Sequence, residues 1–182
     1  MKVLVTGGAG AVGHYAIQLA KLAGASLVIT TVSGTAKAAH ANGAGADFVL
    51  HYRTENIASR VLELTSGNGV DRISEVDLGV NLATTIQVMA NNASIGAYGS
   101  AGEDEPRLPV LAFIFKDVNI RFLQCSLMPL SLRQEGTRRI MQWCSEGKIV
   151  HVIGRVFSLD EVAEAHDAVE NGSVIGNILL EI

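Results

Sequence analysis

Val3-Leu4-Val5-Thr6-Gly7-Gly8-Ala9-Gly10-Ala11-Val12-Gly13-His14-Tyr15-Ala16-Ile17-Gln18-Leu19 is the stretch whose reading decides the fold. A short β-branched run, Lys2 to Thr6, passes through a glycine loop into an apolar segment of helical period, Ala11 to Leu22, whose inner face is expected to carry Val12, Ala16, Leu19, Ala20 and Ala23. Gly8-Ala9-Gly10-Ala11-Val12-Gly13 fits G-x-G-x-x-G between strand and helix, where a dinucleotide needs it. Gly8 is expected to make the tight turn, Gly10 to let backbone approach a pyrophosphate, and Gly13 to let the helix pack against the strand. The helix N-terminus then offers free N–H groups and a positive dipole end to the phosphates.

The same alternation continues outward. Strands are expected over residues 26–31, 47–51, 70–76, 93–98 and 118–125, and helices over 35–42, 56–65, 82–90 and 132–146, with an irregular stretch over 99–117. This pattern predicts a doubly wound α/β domain with a six-stranded parallel sheet in the order 3-2-1-4-5-6, ligands gathering at the carboxyl ends of its strands. A dinucleotide-binding domain is assigned to residues 1–150. Residues 151–182 form a short β-α-β appendage: a strand over 151–157, a helix over 159–171 with Ser158 as N-cap and Glu161 at the box position, and a strand over 176–182.

The 182 residues are 48% hydrophobic and 18% charged, with 19 glycines, which suits a buried parallel sheet with many tight turns. A formal charge of −4 and the lack of a basic stripe argue against a nucleic-acid partner. Apolar runs are broken well short of a membrane span. No secretory pattern is legible, and the cytoplasm is the expected compartment. Cys125 and Cys144 lie in apolar segments and are expected to behave as small buried hydrophobes, without metal.

The end of the second strand separates the possible cofactors. An NAD site places Asp or Glu there for the ribose 2′-hydroxyl. Here no acidic residue precedes Asp47; the segment reads Thr30-Thr31-Val32-Ser33-Gly34-Thr35-Ala36-Lys37. Hydroxyls and an ammonium suit the 2′-phosphate of NADP(H), which a carboxylate would repel. Ser33 is also a natural N-cap for the second helix, and His14 reads as an exposed or capping histidine. Tyr15, Tyr52 and Tyr98 are followed four residues on by Leu19, Asn56 and Gly102, which excludes the Tyr-x-x-x-Lys pair of short-chain dehydrogenases. A methyltransferase lacks its ribose-binding acid in the same segment. A non-catalytic NADP(H)-binding structural or sensor protein stays open beside an enzyme.

The segment Val3 to Ala25, together with Gly45-Ala46-Asp47, His51-Tyr52-Arg53, Gly67 to Asp71, Gly96-Ala97-Tyr98-Gly99-Ser100 and Val156 to His166, resembles the zinc-independent quinone oxidoreductases, the zeta-crystallin group of the medium-chain dehydrogenase/reductase superfamily. The resemblance covers nearly the whole chain. It implies NADPH-dependent hydride transfer to a quinone or enone without zinc. Ala11 and Val12 would face the pyrophosphate, and Thr31, Ser33, Lys37 and Tyr52 would surround the 2′-phosphate. Asp77 would turn beside the cofactor, and Tyr98, Gly99 and Ser100 would lie towards the nicotinamide. No catalytic acid or base is assigned. A homodimer paired through the sixth strand is also implied.

Two departures stand out. Met89-Ala90-Asn91-Asn92-Ala93 replaces the family's Pro-Gly-Gly turn before the fifth strand. The family's substrate domain of about 120 to 150 residues, an ordinary domain size, does not precede Met1. The sequence is therefore expected to be an excised domain, in preference to a naturally truncated chain, folded but inactive alone.

Overall fold

The computed structural model describes residues 1–182, as six parallel strands between two helical layers and a separate two-stranded unit. The elements are β1 (Lys2–Val5), α1 (Ala11–Leu22), β2 (Leu27–Val32), α2 (Thr35–Gly43), β3 (Phe48–His51), α3 (Ile57–Leu64), β4 (Val70–Glu75), α4 (Leu78–Val88), β5 (Met89–Ala97), α5 (Val110–Lys116), β6 (Asn119–Phe122), α6 (Leu130–Ser145), β7 (Ile153–Ser158), α7 (Val162–Glu170) and β8 (Asn177–Glu181). The large sheet runs β3-β2-β1-β4-β5-β6, all parallel, as the alternation of periods requires.

Helices α1 and α2 pack on β1 to β3 from one side, while α3, α4 and α5 cover the other. Strands buried on both faces read as continuous apolar runs, and Leu4, Val5, Val28, Ile29, Ile73 and Ile95 are each 2% exposed or less. Burying one such side chain is worth roughly 1.5 to 3 kcal/mol. No helix is long and apolar enough to cross a membrane.

Several local expectations change. The inner face of α1 is Gly13, His14, Ile17 and Gln18, while Val12 points outward at 56% exposure. His14 is thus buried rather than exposed or capping. Helix α2 starts from Gly34 and not from a Ser33 cap. Helix α4 begins at Leu78, and β5 begins at Met89 with no intervening turn. The pairing of β4 with β5 slips between Val70 and Arg72, and Asn92 takes the slack at φ 60°, a left-handed conformation that Asn tolerates. The stretch 99–117 contains α5, set between Pro109 and a left-handed Asp117. Strand β6 is only four residues long; Cys125 lies beyond it in a single 3₁₀ turn and is exposed, and Cys144 is half-buried.

The C-terminal unit follows expectation. Strands β7 and β8 pair in parallel with α7 between them, and Ser158 and Glu161 form the capping box. Its link to the large sheet is reciprocal: Gln18 Nε2 donates to Val150 O at 3.0 Å, and Val150 N donates to Gln18 Oε1 at 2.8 Å.

Candidate functional site: the crevice at the carboxyl ends of the strands

The glycine loop is tighter than the motif suggests. Its left-handed residue is Gly7, at φ 67°, and not Gly8. Gly8 N donates to Thr31 O at 3.0 Å, and Gly7 N to Thr31 Oγ1 at 3.2 Å, which ties the loop to the end of β2. A Cβ on Gly13 would lie 2.2 Å from Gly7 O, so only glycine lets α1 approach β1 this closely. Gly10 differs: a Cβ there meets only Gly7 O, at 3.3 Å, and its outer side is open.

Helix α1 then presents its first turn. His14 N bonds Gly10 O, whereas the N–H groups of Ala11, Val12 and Gly13 donate to nothing in the chain. Ala11 and Val12 are exposed. Three free donors beside an open glycine backbone fit a pyrophosphate, by the N–H geometry and dipole of a helix start.

A cleft of about 610 Å³ opens beside the loop. Gly7, Thr31, Tyr52, Val76 and Asp77 line it, from the ends of β1, β2, β3 and β4. Thr31 is buried and braces the loop; Tyr52 is 52% exposed. Ser33 and Lys37 are half-buried, in the β2–α2 turn and the first turn of α2, and neither is among the residues that line the cleft. Lys37 has no ion pair. The first acidic residue, Asp47, is turned away from this use: Val28 N and Lys21 Nζ both donate to its carboxylate, at 2.7 and 2.8 Å. Burial opposes the charge of Asp47, but those donors hold its pKa below the usual range.

The floor between β1 and β4 is organised by Glu75, which the sequence reading passed over in favour of Asp77. Glu75 is fully buried. Its Oε1 accepts from Thr6 Oγ1 (2.8 Å), Asp77 N (2.9 Å) and Asn81 Nδ2 (2.8 Å), and its Oε2 from Thr85 Oγ1 (3.3 Å). Val76 N closes the net by donating to Thr6 Oγ1 at 2.9 Å. An acidic residue ending a buried strand was the available signal, since a buried carboxylate has to find donors. Asp77 itself accepts from Gly102 N at 3.1 Å through Oδ2, and its Oδ1 is buried without a partner.

Tyr98, Gly99 and Ser100 belong to a second cleft of about 590 Å³, walled by Leu78, Leu108, Phe122 and Leu123. The Tyr98 hydroxyl is buried without a hydrogen bond. Burial, and secondarily the Glu75 carboxylate, push its pKa up. Gly99 O accepts from Leu78 N at 3.1 Å, and Ser100 Oγ accepts from Gly79 N at 2.9 Å. Both therefore lock the β5 loop onto the start of α4. No three His, Cys, Asp or Glu side chains gather as a metal site.

Residues 11–146 match the family model described as zinc-binding dehydrogenase. The chain belongs to the zinc-binding dehydrogenase family. Among curated relatives, it is 28% identical to a 2-haloacrylate reductase of Burkholderia sp over 98% of this chain and 54% of the relative. It is 29% identical to a chloroplast envelope quinone oxidoreductase homolog of Arabidopsis thaliana over 98% of this chain and 52% of that one. A mycobacterial protein solved in complex with NADPH superposes at a TM-score of 0.86 with 26% identity, covering 99% of this chain and 57% of the other. An NAD-dependent alcohol dehydrogenase structure superposes at 0.87 with 28% identity, covering 100% and 51%. This zinc-binding dehydrogenase domain thus spans about half the length of the two relatives. The medium-chain oxidoreductase membership and the Rossmann fold that the sequence resemblance implied both hold.

Proposed function

We propose that this domain is the NADP(H)-binding half of an oxidoreductase that delivers hydride to a quinone or an enone, with no zinc held by its own residues. The observation that carries the reading is the end of β2. The β2–α2 segment itself offers Thr31, Ser33 and the unpaired Lys37 and carries no carboxylate; Tyr52 lines the cleft with Thr31, and Glu55, which also lines it, is engaged by His51 N at 2.6 Å and by Arg60. A 2′-phosphate carries close to two negative charges, and a carboxylate in that position would oppose it. When bound, the cofactor supplies the hydride; the chain's own residues position it, through the free N–H groups of Ala11 to Gly13 and the open backbone of Gly10.

In this reading Tyr98, Gly99 and Ser100 border the nicotinamide side, and the rest of the substrate pocket comes from the part of the relatives that this chain does not match. Asp77 contributes by fixing the crevice floor. Residues 1–150 act as the cofactor domain and 151–182 as the segment that meets the substrate domain; the cytoplasm is the proposed compartment. Strand β6 is the sheet edge on its side, with Phe122 73% exposed, and we place a homodimer contact there. Sedimentation velocity at micromolar concentration is expected to give a dimer that Phe122→Glu dissociates; a monomer in the unmodified chain would refute the contact.

The deciding experiment is a calorimetric titration of NADPH and NADH at fixed salt. A hydrogen bond to a charged group is worth roughly 1.5 to 3 kcal/mol, less where water screens it. Lys37→Ala is therefore expected to weaken NADPH by about tenfold or more and to leave NADH nearly unchanged, and Lys37→Glu to reverse the preference. Equal affinities in the unmodified chain, or equal losses for both cofactors in Lys37→Ala, would remove the phosphate reading. Quinone turnover by a protein carrying both halves separates an enzyme from a non-catalytic cofactor binder.

A further inference from the structure

Away from the crevice, four elements bring a thiol, an imidazole, a phenol and an amide into one chain of contacts. Cys144 lies in the last turn of α6, and its Sγ is 3.9 Å from Nε2 of His151, at the long end for a sulfur hydrogen bond. His151 Nδ1 is 2.9 Å from the Tyr15 hydroxyl on α1. Asn177 Nδ2, at the start of β8, donates to that same hydroxyl oxygen at 3.3 Å and to Val152 O at 3.3 Å. His151 is exposed and Cys144 half-buried, so small reagents reach the sulfur.

The order of the contacts matters. In the Nδ1–H tautomer the Tyr15 oxygen accepts from both Asn177 and His151 and Nε2 presents its lone pair to the thiol, whereas in the other tautomer Tyr15 donates to Nδ1; the site requires the first. A base oriented by a third group, next to a nucleophile, is the arrangement that activates cysteine or serine in covalent catalysis. Nothing in the cofactor crevice uses these residues, and no pairing in the fold requires a thiol here.

We propose that Cys144 and His151 form a nucleophilic site that captures soft electrophiles of the activated-alkene class, such as α,β-unsaturated carbonyls, as covalent thioethers. The Cys144 Sγ forms a bond to the β-carbon, and the alkene π pair moves onto the α-carbon in conjugation with the carbonyl. The thiol proton passes to His151 Nε2 and from there to the α-carbon. The addition is redox-neutral and needs no cofactor, so it stands or falls separately from the hydride reading.

Cys125 is an internal control: it is the more exposed thiol and has no histidine contact. The test is substoichiometric N-ethylmaleimide, with no cofactor present, followed by peptide mass spectrometry of the adducts at both cysteines. In the native chain Cys144 is expected to take label about tenfold faster than Cys125, a modest share of what a positioned general base supplies. The preference should collapse in urea and in His151→Ala, and added imidazole should restore it in that variant. Tyr15→Phe removes only the hydroxyl that orients the ring, and it should reduce the preference several-fold with the circular dichroism spectrum unchanged. Cys144 labelling no faster than Cys125, or a preference that survives both His151→Ala and Tyr15→Phe, would overturn the site.

Discussion

Replacing Glu75 tests whether the crevice floor is held by one carboxylate. Glu75→Ala removes the acceptor from Thr6, Asp77 N, Asn81 and Thr85; the bonds from Thr6 and Thr85 are buried and those from Asp77 N and Asn81 part-buried. Two of the donors have alternatives. Thr6 Oγ1 already lies 3.3 Å from Ser74 O, and Thr85, inside α4, can turn its hydroxyl to a carbonyl one helical turn back. Asp77 N and the Asn81 amide have no other acceptor in the chain, but both line the cleft and their bonds are part-buried. A buried donor left without a partner costs about 1 to 3 kcal/mol, less where water reaches it, and removal of a desolvated carboxylate returns part of that, so a net loss of about 1 to 3 kcal/mol follows. For a chain of this length that lowers Tm by roughly 3 to 12 °C. Glu75→Gln keeps an oxygen for the three donors on Oε1 and presents its amide to Thr85 Oγ1. Only the stronger acceptance of a charged group is lost, about 1 kcal/mol or a few degrees. Thermal unfolding by circular dichroism at neutral pH reads both, and native-state hydrogen exchange should show the amides of Val76 and Asp77 opening first in the Ala variant. An Ala variant within 1 °C of the unmodified chain, or a Gln variant as damaged as Ala, would refute the donor-counting argument.

The glycine loop offers a paired test: Gly13→Ala forces a Cβ to 2.2 Å from Gly7 O and should lose roughly 1 to 3 kcal/mol by overpacking together with cofactor binding. Gly10→Ala, with only a 3.3 Å contact, should keep its denaturation midpoint and lose cofactor affinity alone; equal midpoints for the two variants would contradict the geometry. His14 is 3% exposed and stacks on His40 with ring centroids 4.3 Å apart, and its pKa is lowered by burial first and by His40 second. Burial lowers His40 as well. Below the ordinary value of 6.5 the unfolded chain therefore binds more protons than the folded one, so stability is full above that pH and falls as the pH drops through it. A Tm series from pH 7.5 to 5 should show this fall, with a shallower slope in His14→Leu; identical slopes would exclude His14 as a source.

What was legible in the sequence followed from period and punctuation. The strand order came from repeated switches between strand and helix, and the box at Ser158 from an N-cap hydroxyl with an acid three residues on. What was not legible depended on tertiary partners. Helix α5 hides between Pro109 and Asp117 because seven residues are too few for a periodicity, and its Leu111, Ile114 and Phe115 remain largely exposed. The inner face of α1 was misjudged by hydrophobicity because the helix start sits so near β1 that Gly13 has to face inward, which rotates His14 and Gln18 inward and Val12 outward. Gln18 is at home there because Val150 satisfies both ends of its amide, while His14 has only His40 to stack on.

The site divides along the same line. Gly13, whose role is set by backbone, could be named from spacing alone, because close approach of helix to strand is a property of the chain path, although the same spacing put the tight turn on Gly8 and not on Gly7. Residues whose role is set by what surrounds them could not. Glu75 and Asp77 have the same parity along the strand, and composition ranks them equally. Glu75 is the last residue of β4 and points to α4, where Asn81 and Thr85 wait one and two turns on, whereas Asp77 lies past the strand and is claimed by the loop amide of Gly102. The proposed preference for a phosphorylated ribose rests on a third kind of information, the absence of a carboxylate from the β2–α2 segment. Here sequence and fold reinforce each other: the first acid in the chain, Asp47, precedes β3 and is spent on Lys21 and Val28 N at the opposite end of β2 from Thr31 and Ser33. A side chain committed to the amino end of a parallel strand cannot serve a ligand at its carboxyl end, so the missing acid is not supplied by the nearest one in sequence.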